Sequence, residues 1–167
     1  YYTAYVFQEG GHYYAVDEYD NTICMDSPTA CIQEALNYIA STDSKSGLLH
    51  IGRGVFNINK TIYLPYTYAN PVVIEGEGYG VNSLGVTILN CNPNLTTCIQ
   101  WANPNWSNYA NQFWTFRDFT IISNGSNITL LDLHQNETST DLVLERLTLY
   151  APNSATTILN LDGNEDT

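Results

Sequence analysis

The chain has 167 residues, with 5 Lys and Arg against 17 Asp and Glu, and a formal net charge of −12. That balance excludes a nucleic-acid binder, which needs a basic footprint for phosphates, and opposes contact with an anionic membrane surface. The length suffices for one ordinary domain with a sizeable core, and no apolar run approaches the ~20 residues that span a bilayer.

Thr3 to Phe7 and His12 to Val16 read as two strands joined by Glu9-Gly-Gly, a hairpin signal. Residues 17–21 form a turn, and Thr22 to Cys24 a short third strand. Ser27-Pro28 predicts a helix start, with Ser27 as N-cap and Pro28 at the first helical position. Ile32, Ala35, Leu36 and Ile39 then make one apolar stripe at helical spacing, and the helix ends near Ser41 in a polar run. The expected division is a leader hairpin over 1–26 and a second unit over 27–167, opened by a capping helix at 27–41.

From Gly47 onward the pattern is one of short strands, near 48–51, 55–58, 61–64, 72–75, 86–90 and 96–101, separated by Gly- and Asn-bearing turns. A polar insertion, 102–112, precedes Phe113 to Asp118. Sliding the sequence by 28 residues superposes Phe119-Thr-Ile-Ile on Leu147-Thr-Leu-Tyr and Ile128 to Leu133 on Thr156 to Leu161. The identities are Thr120/Thr148, Ser126/Ser154, Thr129/Thr157, Leu131/Leu159, Leu133/Leu161, Asn136/Asn164 and Glu137/Glu165. Val86 to Leu89 and Thr96 to Trp101 form a weaker upstream copy. A repeat of this period means stacked supersecondary units, and these units hold only β segments. The expected architecture is therefore all-β, a parallel β-helix of about four coils with first strands near 48, 72, 115 and 143. An antiparallel sandwich also gives short strands at intervals, but it does not call for a self-match across two slots.

The four cysteines fall as two equally spaced pairs, Cys24/Cys31 and Cys91/Cys98. Three connectivities are open. The two local ones are favoured because each pair brackets a turn; four buried free thiols are the alternative. Asn-x-Ser/Thr sequons begin at Asn59, Asn94, Asn105, Asn124, Asn127 and Asn136. Disulfides and sequons together point to an extracellular compartment. The start at Tyr1 reads as a mature chain or as a piece of a longer one.

Ala30-Cys-Ile-Gln-Glu-Ala-Leu, Leu49-His-Ile-Gly-Arg-Gly-Val-Phe-Asn-Ile58, Val73-Ile-Glu-Gly-Glu-Gly78 and Val86-Thr-Ile-Leu89 resemble the opening of pectin-lyase-like proteins. The resemblance covers roughly residues 27–161. It implies a right-handed, single-stranded parallel β-helix whose open N-terminal end is covered by a short helix. It is nearly silent on function, because that fold hosts polysaccharide lyases, glycosidases, virus tailspikes and adhesins. The hairpin resembles leader segments that precede such folds in viral and microbial surface proteins.

The family's lyases use acidic Ca²⁺ ligands with an Arg or Lys base, and its galacturonases use clustered Asp with His-Gly and Arg-x-Lys. This chain has neither His-Gly nor Arg-x-Lys. Arg117-Asp118 and Glu145-Arg146 sit one repeat apart at the same slot, so stacking sets Arg117 near Glu145 and Asp118 near Arg146. These four are catalytic candidates, against the plainer reading of cross-strand salt bridges. Asp132 over Asn160 and His134 over Asp162 offer a sugar or metal patch, or else solvated ladder positions. Asp162, Asn164 and Asp166 resemble the start of a Ca²⁺ loop without its distal Glu, and Ca²⁺ is the one cofactor considered. His50, on an alternating strand, reads as packed or hydrogen-bonded. Trp101, Trp106 and Trp114 are the candidate sugar-stacking residues.

The expected function is an extracellular glycosylated structural or recognition protein, a surface filament, adhesin or virion fibre subunit. It is expected to bind other copies of itself end to end or by strand addition, the last repeat being uncapped unless the chain continues past Thr167. The alternatives are a lyase or glycoside hydrolase working on the outer face, and a carbohydrate-binding module.

Overall fold

The computed structural model describes residues 1–81, 85–103, 111–135 and 141–162. The hairpin forms as its sequence requires. β1 (Ala4–Glu9) pairs antiparallel with β2 (His12–Asp17) across Gly10 and Gly11, whose φ angles of 58° and 80° suit a two-residue turn with both central positions left-handed. Asp17 accepts the amides of Tyr19 and Asn21 and so orders the next turn into β3 (Thr22–Met25), antiparallel to β2.

The helix begins later than its sequence signal. α1 spans Ile32–Ser41, and Ser27 instead orders the turn ahead of it, its hydroxyl accepting the amides of Thr29 and Cys31. Ala30 and Cys31 both have positive φ, so helical geometry cannot be carried back to Pro28. The expected stripe of Ile32, Ala35, Leu36 and Ile39 is buried, against β1 to β4 and β6. Both local disulfides are present, Cys24–Cys31 and Cys91–Cys98. Each closes a loop with a sequence separation of 7 and, by loop-closure entropy, is worth about 2–3 kcal/mol.

The remaining strands are β4 (Gly47–Ile51), β5 (Gly54–Ile58), β6 (Ile62–Leu64), β7 (Val72–Glu75), β8 (Thr87–Cys91) and β9 (Thr97–Trp101). β10 (Trp114–Ile122), β11 (Thr129–Asp132), β12 (Val143–Tyr150) and β13 (Leu159–Asn160) follow. The 28-residue self-match has a direct counterpart, since Thr120 pairs in parallel with Thr148 and Leu131 with Leu159. Asn136/Asn164 and Glu137/Glu165 lie outside the described residues.

The expected single-stranded parallel β-helix of about four coils is nevertheless overturned. The strands assemble into one nine-stranded mixed sheet, ordered β3-β2-β1-β4-β7-β10-β8-β5 with β12 on β10, and a separate parallel sheet ordered β13-β11-β9-β6. The hairpin joins the large sheet through parallel pairing of β1 with β4, which places antiparallel and parallel ladders side by side. β10 joins the expected first strand near 115 and the repeat segment Phe119-Thr-Ile-Ile in one continuous strand. Its first half pairs with β7 and its second half with β8.

That double pairing is made possible by a break in alternation. Trp114 and Phe116 point into the core, Arg117 and Asp118 both point out, and Phe119 and Ile121 point in again. Asp118 carries a φ of 62°, and Arg146 at the same level of β12 a φ of 49°. One left-handed residue shifts the inward phase by one, as a bulge does. Side chains from both sheets and from α1 share one buried cluster. Phe116→Ala is expected to cost about 3–5 kcal/mol in urea unfolding. Leu147→Ala, on half-buried β12, should cost clearly less; equal losses would show that β12 is packed as tightly as β10.

Candidate functional site

Register carries one outward residue from each of five strands into a single row. Tyr5 on β1 is partnered by His50 on β4, His50 by Glu75 on β7, Glu75 by Arg117 on β10, and Arg117 by Glu145 on β12. His50 Nδ1 lies 2.9 Å from Glu75 Oε2, and Arg117 Nη2 donates to Glu75 Oε1 at 2.7 Å. Glu77, just after β7, stands 3.2 Å from His50 Nε2 and accepts from the Arg53 amide and guanidinium. A second cluster follows at the two left-handed residues, where Arg146 Nη2 donates to Asp118 Oδ2 at 3.0 Å and Arg146 also pairs with Glu145.

The electrostatics drive these carboxyls one way. Burial alone would raise Glu75, but the hydrogen bonds from Arg117 and His50 together hold it below its ordinary value. The His50 contact, with Arg53 behind it, outweighs burial and lowers Glu77. The Arg146 hydrogen bond lowers Asp118. Beside the row lies an open groove of about 530 Å³, whose lining includes Tyr1, Leu48, Pro71, Val73 and the Glu75–Arg117 pair. On the other side runs an aromatic stripe. Tyr5 and Phe7 have ring centroids 5.0 Å apart, Phe7 and Tyr14 5.4 Å, and Tyr5 and His50 5.5 Å.

Of the four catalytic candidates, Asp118 meets Arg146 as expected. Arg117 is the register partner of Glu145, yet its ion pair is with Glu75. His50 is hydrogen-bonded, as its strand position indicated. Trp101 and Trp114 correct the sugar-stacking expectation. Both are 1% exposed, edge-to-face at 5.4 Å, with their indole N–H groups donating to Leu133 O and Thr67 Oγ1. Their ring area is claimed by the core. Asp132 and Asn160 are register partners, and each caps its own turn by accepting the amide two residues on. His134 Nδ1 stands 3.6 Å from Asp162 Oδ2, ion-pair range but too long for a hydrogen bond. Among the described residues no group of three or more His, Cys, Asp or Glu is placed to hold a metal ion. Trp106, Asn105, Asn136, Asn164 and Asp166 lie outside the described residues.

Sequence reasoning missed Glu75, Glu77 and the hairpin aromatics as parts of one surface. The available signal was Glu75-Gly-Glu77 at the slot that holds His50 one strand earlier and Arg117 one strand later.

Comparison with family models, curated proteins and solved structures returns no match, and so none that identifies a pectin-lyase-like family. What the structure defines is a class: an all-β chain of one mixed and one parallel sheet, stapled by two disulfides suited to an oxidising compartment. Among the described residues no helix is long and apolar enough to cross a membrane.

The lowered carboxyls set the acid limit of stability. A depressed folded-state value means that stability is fully present above the ordinary value, 4.5 for Glu75 and Glu77, and is lost as pH falls through the folded-state values below it. Melting temperature measured against pH should therefore fall below about 4.5. Glu75→Gln should lower Tm at neutral pH by an amount equivalent to about 1–3 kcal/mol and make the acid limb shallower. An unchanged limb would remove Glu75 from that role.

Proposed function

We propose that the protein is an extracellular structural and recognition protein whose outer face, along β1, β4, β7 and β10, binds a neutral saccharide. The setting is a surface filament, an adhesin or a virion fibre. The observation that carries this is the ionic row beside an aromatic stripe. Hydrolysis by a carboxyl pair needs one member kept protonated near neutral pH. Glu75, Glu77 and Asp118 are all pushed toward the charged form. Fixed charged acceptors and donors of this kind suit hydroxyl recognition, and the half-buried rings of Tyr5, Phe7 and Tyr14 suit the apolar face of a sugar ring. The net charge of −12 disfavours a polyanionic ligand.

Assembly with other copies is the second part of the proposal. Among the described residues β12 pairs with β10 alone, and Leu147 and Leu149 are only half-buried where their partners Phe119 and Ile121 are at most 1% exposed. A strand edge with incompletely covered leucines is suited to strand addition by another copy.

An array of neutral and acidic oligosaccharides tests the ligand. Binding should be confined to neutral glycans and weakened about tenfold or more by Tyr5→Ala and Arg117→Ala, with folding of each variant checked by circular dichroism. Polysaccharide turnover abolished by Asp118→Asn or Glu145→Gln would replace this function with an enzymatic one. Sedimentation should show concentration-dependent oligomers that Leu147→Lys disperses.

A further inference from the structure

Four sequons lie within the described residues, and the fold brings all four to one edge. Asn59 opens the turn from β5 to β6, Asn94 sits in the turn from β8 to β9, and Asn124 and Asn127 sit in the turn from β10 to β11. β5, β8 and β10 are successive neighbours in the large sheet, and β6, β9 and β11 in the small one. The three turns joining them must therefore stack. Contacts between turns show that they do. Asn92 Nδ2 donates to Asn59 Oδ1 at 3.4 Å, and the Asn92 amide donates to Ile58 O at 2.8 Å. A Cβ on Gly125 would meet Pro93 O at 2.7 Å, so the third turn rests directly on the second. The turn after β12 continues the stack, with the Ala155 amide donating to Ser126 O.

All four asparagines are exposed. The bond that Asn59 makes to Asn92 uses its carbonyl oxygen, leaving the amide nitrogen outside that contact. With neighbouring strands ~4.8 Å apart, three acceptor-bearing layers fall within about 10 Å. None of the four asparagines lines the groove, and Asn124 lies seven residues beyond Arg117, past the end of β10.

We propose that this stack of turns is the oligosaccharide-bearing edge of the protein. It carries N-linked glycans at Asn59, at Asn94 and at one of Asn124 and Asn127, and leaves the ionic row and groove uncovered. Transfer joins the asparagine Nδ2 to C1 of an oligosaccharide carried on a polyisoprenyl diphosphate. The C1–O bond to the diphosphate breaks, the diphosphate leaves with the electron pair, and the amide gives up one proton. Asn124 and Asn127 share one short turn, so the first glycan added there obstructs the second. The proposal rests on the extracellular reading above, and its test separates the two.

The full chain, secreted from a host that glycosylates a control protein, is digested without reduction and mapped by mass spectrometry for glycopeptides and for disulfide-linked peptides. The expected result is intact Cys24–Cys31 and Cys91–Cys98, with glycan on Asn59, on Asn94 and on a single residue of the Asn124/Asn127 pair. Asn94→Gln should remove one glycan and leave the others, and Thr96→Ala should do the same without touching the asparagine. Intact disulfides with all four asparagines bare would overturn the glycan edge and leave the extracellular reading standing. Free thiols together with bare asparagines would overturn both. Double occupancy at Asn124 and Asn127 would overturn the one-glycan-per-turn rule.

Discussion

A slip of one residue between β7 and β10 would turn Trp114 and Phe116 out to solvent and carry Arg117 into the core. Strand side chains alternate with a period of two, so register is fixed wherever one face is buried. That constraint is applied at each parallel pair, from β1 on β4 to β10 on β12. Inward, it superposes Ala4, Leu49, Ile74, Phe116 and Leu144. Outward, one residue further along, it superposes Tyr5, His50, Glu75, Arg117 and Glu145. The surface row is thus a by-product of core packing. No loop has to be folded into place to assemble it.

The left-handed residues Asp118 and Arg146 modify this rule at one level only. Asp tolerates a left-handed backbone better than most residues, while Arg gains nothing intrinsic from it. The left-handed Arg146 is held by its ion pairs to Asp118 and Glu145. The shift in phase sets two polar residues side by side on each strand, and it lets the rest of β10 bury Phe119 and Ile121 and turns Leu147 of β12 inward, half-buried. Two rows of charge therefore meet at this level, one running back to His50 and one confined to Asp118, Glu145 and Arg146.

Much of this was legible in the sequence where local chemistry decides the outcome. Glu9-Gly-Gly marked the hairpin, the cysteine spacing marked both disulfides, and the 28-residue repeat marked the parallel pairs Thr120/Thr148 and Leu131/Leu159. What failed was long-range. Nothing in residues 3–16 states that β1 will pair with β4, and that pairing turns an expected parallel stack into a mixed sheet. Ser27-Pro28 is a sound helix-start signal, but the disulfide from Cys24 and two left-handed residues override it. Trp101 and Trp114 carry the same side chain that serves at sugar sites, and only the fold decides that they face inward.

The same stacking explains why the ionic row escaped the repeat. In a parallel ladder a residue repeated at one slot lies about 5 Å from its copy, and two like charges at that distance repel by about 3 kcal/mol at an effective dielectric of 20. Thr, Ser, Leu and Asn can recur at a slot without this penalty, and the repeat identities within the described residues, such as Thr129/Thr157 and Leu133/Leu161, are all uncharged. A charged slot has to change sign from strand to strand. His50, Glu75, Arg117 and Glu145 do so, with each carboxylate set beside a cation or an imidazole. Identity between repeats therefore does not mark the charged residues; the repeat supplies only the slot, as for Arg117 and Glu145, and the row emerges when slots are compared for complementarity.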